Sequence, residues 1–136
     1  VIEELPRSIG DVVCVFYLVL RGLDTVEDEM SLPKEEKRVL LKDFAQILYS
    51  DRWSRDDLGE NEFYRNLLQN FPRVTKTFRS FEEKYRRIIV ETTERMAAGM
   101  IEFIEKDYSI DDLNDYNAYC HYVAGLVGKG LSEIFV

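Results

Sequence analysis

A chain of 136 residues that is 46% hydrophobic and 12% aromatic is the size of one domain and carries the side chains to build a core, which excludes disorder. Its net charge of −8, from 26 acidic and 18 basic residues, argues against nucleic acid as a partner, because no excess positive field is available for phosphate backbones. Two cysteines, Cys14 and Cys120, cannot make a disulfide framework; both sit in apolar stretches, so buried, reduced thiols and a reducing compartment are expected.

No signal peptide is visible, and the longest apolar run, 12–20, is about half of the ~20 residues that a spanning helix needs. There is no initiator methionine, and the last helical pattern (Leu126, Val127, Leu131, Ile134, Phe135) is still apolar at Val136. Residues 1–136 are therefore expected to be an internal stretch, one incomplete domain. Strand signals are nearly absent and helical periodicity recurs throughout, so the fold class is all-α, with four or five helices.

The first helix is predicted from about Pro6, a residue suited to a first turn, to about Asp28. Apolar at every position from Val12 to Leu20, it is expected to lie inside the protein. It ends in carboxylates, Asp24, Glu27 and Asp28, spaced three and four apart and so converging on one face. Tyr17, Arg21, Asp24 and Asp28 form one stripe along it. Carboxylates leaving a core are costly unless paired or metal-bound. A pair at this spacing offers a magnesium ion two anionic oxygens and leaves its other positions to water or substrate phosphate. Arg21, one turn earlier, can pair with a carboxylate or grip a phosphate oxygen. Two readings stand at this point: a metal-and-phosphate site, or a structural ion-pair network.

Met30 to Pro33 reads as a connection with Ser31 as cap, followed by a helix over about 34–49 whose buried stripe is Val39, Leu40, Phe44, Ile47 and Leu48. Residues 51–59 are polar and irregular, a loop. A short helix over 60–70 is ended by Phe71-Pro72, because the residue before proline is pushed out of helical geometry. The longest helix is predicted over about 74–106, with Phe78, Phe81, Tyr85, Ile88, Ile89, Met96, Met100, Phe103 and Ile104 at three- and four-residue steps. On it, Arg79, Lys84, Arg86 and Arg87 mingle with Glu82 and Glu83, an exposed mixed-charge face rather than a basic patch.

Ser109 with Asp112 resembles a capping pair for the last helix. That helix places Ala124, Gly128 and Ser132 on one face with Gly125 beside it, and each mid-helix glycine costs about 1 kcal/mol relative to alanine. The face is a groove, for a closely packed helix or for an elongated apolar ligand. Tyr119 and Tyr122 near its start have the alternative of core aromatics with satisfied hydroxyls. There is no Cys-x-x-Cys pair, phosphate-cradling glycine loop or calcium-loop spacing, and the only histidine, His121, reads as structural.

Together the two segments resemble a known family. The run Tyr17-Leu-Val-Leu-Arg21-Gly-Leu-Asp24-Thr-Val-Glu27-Asp28 resembles the first aspartate-rich motif of squalene synthases, and Tyr119-Cys-His-Tyr-Val-Ala-Gly-Leu-Val-Gly128 resembles their central helix. Asn70-Phe-Pro72 and Arg95-Met-Ala-Ala-Gly99-Met100-Ile-Glu-Phe103 fit the same family between them, in the expected order over nearly the whole chain. The wording of the two segments favours squalene synthases over the sister phytoene and dehydrosqualene synthases. Ala97, Gly22 and Lys129 depart from the usual pattern without touching a proposed ligand.

The resemblance implies an isoprenoid-synthase-type helical bundle, here its N-terminal half. It also implies an enzyme that joins two farnesyl diphosphate molecules head to head through presqualene diphosphate and reduces that intermediate to squalene with NADPH. Magnesium would be held by Asp24 and Asp28, with Glu27 as a direct or indirect participant. Arg21 would bind diphosphate, Tyr17 would lie near the reacting head, and Tyr119 would accept a proton or stabilise a carbocation in the first half-reaction. Val123, Leu126 and Val127 would supply a dry wall for the prenyl chain. A monomer on the cytoplasmic face of the endoplasmic reticulum membrane is expected, anchored by a segment outside these residues. The family's second aspartate-rich motif and its early Ser-Arg-Ser-Phe element also lie outside, so residues 1–136 alone should be inactive, and no residue here is assigned to NADPH. Two other readings remain: a sister synthase that stops before reduction, and a helical interaction module whose acidic stripe pairs with basic residues.

Overall fold

The computed structural model describes residues 8–105 and 113–136, with the side chains of the last helix from Asn117 onward. Among the described residues there are six α-helices and no strand. The expected starts at Pro6 and at Ser109 with Asp112 fall outside them.

Helix α1 (Ile9–Asp28) is opened by Ser8, whose hydroxyl accepts from the Asp11 amide at 3.2 Å. Val12, Val15, Phe16, Val19, Leu20, Leu23 and Val26 form its buried stripe. The expectation of burial all round fails: Cys14 is exposed and Tyr17 is 55% exposed. One side of α1 packs on α2–α5, while the side carrying Tyr17 has no such cover. Cys120 is exposed as well, so neither thiol is the buried one expected.

Helix α2 (Lys34–Ile47) has Pro33 at its N-cap and no side-chain cap; Ser31 donates instead to Glu29 at 2.6 Å. Its core side is Leu41, Phe44, Ala45 and Ile47, continued by Leu48. Val39, expected inside, is exposed, because a residue two positions from Leu41 cannot share its face. Residues 50–61 form the irregular connection, pinned by Trp53, which packs edge-on against Phe44 and Phe71 with ring centroids 5.9 and 5.6 Å away.

Helix α3 (Glu62–Gln69) stops before Phe71-Pro72, and α4 (Phe71–Arg79) starts at once with the proline in its first turn. The single long helix expected over 74–106 is two. The chain turns at 80–82, where Ser80 N and Phe81 N bond to Thr77 O and Phe78 O at 3.0 and 3.1 Å. The Ser80 hydroxyl also donates to Thr77 O, at 2.5 Å, competing for a carbonyl that a continuing helix would use. The turn buries Phe81 beneath the bundle. Helix α5 (Glu83–Glu105) then buries Ile89, Thr92, Thr93, Met96, Ala97 and Met100. The mixed-charge face is seen in the ion pair of Arg87 with Glu83, 3.2 Å apart on α5.

Helix α6 (Leu113–Ile134) runs antiparallel to α5: Tyr119 stacks on Phe103 at 4.3 Å, Tyr122 lies over Gly99, and Gly130 lies against Thr92. It runs antiparallel to α1 also, with Gly130 against Phe16 at one end and Tyr119 bonded to Glu27 at the other. The small-residue face is open, and a Cβ added at Gly125 or Gly128 would meet no atom within 4 Å. Close approach falls on Gly130, where a Cβ would lie 2.6 Å from Phe16. No described helix is long and apolar enough to cross a membrane.

Candidate functional site

The last two turns of α1 bring Arg21, Asp24, Glu27 and Asp28 to its surface with no basic residue in the final turn. A helix C-terminus is the negative end of the macrodipole, so this is an unfavourable place for carboxylates unless positive charge arrives. Arg21 supplies some, its Nη1 lying 3.7 Å from Asp24 Oδ2. Lys37 of α2 is turned to the backbone, donating to Glu27 O at 2.7 Å.

Asp24 and Asp28 stand between two concavities. On one side a cavity of about 100 Å³ is lined by Arg21, Asp24, Thr25, Asp28, Glu29, Glu60 and Tyr64. On the other, an open cleft of about 310 Å³ between α1 and α6 is lined by Asp24, Glu27, Asp28, Tyr119, Cys120, Val123 and Ala124. The α1 and α6 faces thus meet in a common cleft, joined by the Tyr119 hydroxyl donating to Glu27 Oε2 at 2.5 Å.

Burial sets the electrostatics. It pushes the Asp24 carboxyl up to about 6, helped by repulsion from Asp28 and opposed by Arg21. Glu27 is pushed up to about 7, mainly by burial, with the Tyr119 hydrogen bond opposing and Asp28 and Asp24 adding. Asp28 is raised by burial and then by Glu60 across the cavity. Tyr119 is raised too, by burial and by its bond to Glu27, so its hydroxyl keeps its proton at neutral pH. Glu29 is the exception, held low by the Ser31 hydroxyl and the Gly59 amide.

Of the residues singled out in sequence, Asp24, Glu27, Asp28, Tyr119 and Val123 share the cleft, with Arg21 in the adjoining cavity. Tyr17 lies two turns before Asp24, exposed and outside both. Leu126 and Val127 are half-buried against the core and do not line the cleft. Tyr122 turns to α5, donating to Arg95 O at 3.2 Å. His121 is exposed. Among the described residues no three of His, Cys, Asp and Glu converge as a closed metal cage. Asp24 and Asp28 on one open face offer instead the partial oxygen set that a hydrated magnesium ion takes when phosphate completes it.

Two contributors had no sequence signal. Tyr64 of α3 accepts a hydrogen bond from Arg21 Nη2 and places its ring 4.9 Å from the guanidinium carbon. Glu60, just before α3, adds a carboxylate opposite Asp28. Both depend on a contact across more than thirty residues, to which helical periodicity is blind.

The bundle and its acid-walled cleft define an all-helical protein of the isoprenoid-synthase type, and a solved structure shares the fold. The complex of TcSQS with the ligand E5700 superposes with a TM-score of 0.86 at 42% identity, over 99% of this chain and 39% of that one. The family model for squalene/phytoene synthase matches residues 1–136, and the chain belongs to that family. The squalene synthase of Schizosaccharomyces pombe is 46% identical over 99% of this chain and 30% of its own length. That of Mus musculus is 46% identical over 99% of this chain and 32% of its own length. The chain thus spans roughly a third of the length of these relatives.

Proposed function

We propose that this chain forms one carboxylate wall of a squalene synthase, a magnesium-dependent enzyme that condenses two farnesyl diphosphates head to head to presqualene diphosphate and reduces the product to squalene with NADPH. The observation that carries the reading is Tyr119 of α6 bonded to Glu27 beside Asp24 and Asp28, in a member of this family.

Asp24 and Asp28 would hold magnesium: burial and neighbouring carboxylates raise both carboxyls, a cost of charge that a bound cation would offset. An ion bound there would supply Lewis-acid stabilisation of the departing diphosphate. Arg21 meets the same developing charge from the cavity side, an interaction that strengthens as the carbon–oxygen bond breaks. The prenyl cation then needs a dry wall and an electron-rich face. Val123 and Ala124 offer the first and the Tyr119 ring the second. A proton lost from that cation has the Tyr119 oxygen as acceptor while the phenol's own proton passes along its hydrogen bond to the Glu27 carboxylate. No residue of this chain is assigned to NADPH, and attachment to the endoplasmic reticulum membrane belongs to the same proposal.

The test is Asp24→Asn and Asp28→Asn in the intact protein. Each should abolish magnesium-dependent turnover of farnesyl diphosphate while leaving the helical circular dichroism unchanged; normal turnover in both would overturn the assignment. Product analysis with and without NADPH separates condensation from reduction.

A further inference from the structure

We propose that Tyr64 is a positioning residue that aims the Arg21 guanidinium at the anionic group received beside Asp24 and Asp28, a role that rests on the function proposed above. Of the three guanidinium nitrogens, Nη2 donates to the Tyr64 hydroxyl and Nη1 faces Asp24 at 3.7 Å. Nε is buried and has no hydrogen-bond partner, so it is Nη1, on the Asp24 side, that the Tyr64 contact orients. The ring of Tyr64, 4.9 Å from the guanidinium carbon, fixes the plane. Without Tyr64, Arg21 would have only an i,i+3 ion pair between side chains about one-third exposed, which holds a long side chain weakly.

The chemistry of the acceptor matters. The cavity already has Asp24, Asp28, Glu29 and Glu60 in its wall. A phenol oxygen accepts an N–H without adding another negative charge, so it orients the guanidinium and leaves its charge for an incoming phosphate.

The chain also invests in placing this residue. Asn61 Oδ1 accepts from Tyr64 N at 3.1 Å, starting α3. Just before it, Gly59 N donates to Glu29 Oε2 at 2.9 Å, latching the loop to the end of α1, and Arg65 Nε donates to Gly59 O at 3.1 Å. Gly59 has φ +117°, and a Cβ there would lie 2.9 Å from Tyr64 Cβ. That turn is open to glycine and strained for other residues.

The experiment is a double-mutant cycle in the intact protein with two readouts: calorimetric binding of inorganic diphosphate with magnesium, and KM against kcat for farnesyl diphosphate. Tyr64→Phe keeps the ring and removes the acceptor, and should weaken diphosphate binding by up to about tenfold, expressed in KM; Tyr64→Leu should weaken it further. In an Arg21→Ala background Tyr64→Phe should change nothing, because its effect passes through Arg21. Equal losses in both backgrounds, or none in either, overturn the role of Tyr64. Coupled losses in diphosphate binding without turnover of farnesyl diphosphate would uphold Tyr64 and refute the prenyl-transfer reading alone.

Discussion

Three glycines of α6 should respond to alanine with opposite signs. At Gly130 a Cβ would lie 2.6 and 2.9 Å from two ring carbons of Phe16 and 3.0 Å from the Thr92 hydroxyl. Phe16 is 2% exposed and Thr92 7%, so neither has space to retreat into. Overpacking of this kind costs about 1–3 kcal/mol. At Gly125 and Gly128 the same methyl meets nothing within 4 Å. All three substitutions gain the helix-propensity difference of about 1 kcal/mol, and that gain cancels when variants of one helix are compared. Gly130→Ala should therefore be less stable than Gly125→Ala or Gly128→Ala by about 2 kcal/mol, with the latter two more stable than the parent chain. Urea unfolding followed by circular dichroism measures this through the midpoints at constant slope. A Gly130→Ala midpoint equal to or above that of Gly125→Ala would refute the packing of α6 on α1.

The carboxylate cluster predicts a pH dependence. Asp24 and Glu27 keep their protons to about 6 and 7 in the folded chain, but only to roughly 4 when unfolded. The native state thus binds more protons between about pH 4 and 7, and stability falls as pH rises through that window. For Asp24 alone, the rise from 3.8 to about 6 corresponds to ~3 kcal/mol, cut to about 1 kcal/mol because its side chain is 34% exposed. In metal-free buffer Asp24→Asn should stabilise by that amount at pH 8 and by almost nothing at pH 4; equal effects at both would remove the argument. Tyr119→Phe deletes the 2.5 Å bond to Glu27 while keeping the ring on Phe103, and in the intact protein should slow presqualene diphosphate formation about a hundredfold or more. An unchanged rate would leave that hydroxyl without a catalytic role.

Within one helix the sequence is a reliable guide, since residues three and four apart share a face whatever lies around them. The all-α class, the carboxylate face of α1 and Arg21 one turn before Asp24 were legible on that ground; the break at Phe71-Pro72 was legible from its proline, although Phe71 itself is helical, the first residue of α4. The order of the segments also pointed to the family that the whole chain matches. The failures share one cause. Periodicity says which residues face together, not what covers them, so Cys14, Cys120 and Val39 look buried in sequence and are exposed in the bundle. The turn at 80–82 has no proline or glycine to announce it and is held by hydroxyl and amide bonds to carbonyls of the preceding turn.

By itself, then, the sequence determined the helices and the acidic face that one of them carries. Tertiary structure alone decided that Glu27 meets Tyr119 from 92 residues away and that Arg21 meets Tyr64 from 43. Such pairings depend on where loops return the chain, and that is set by packing of the whole core rather than by any local period.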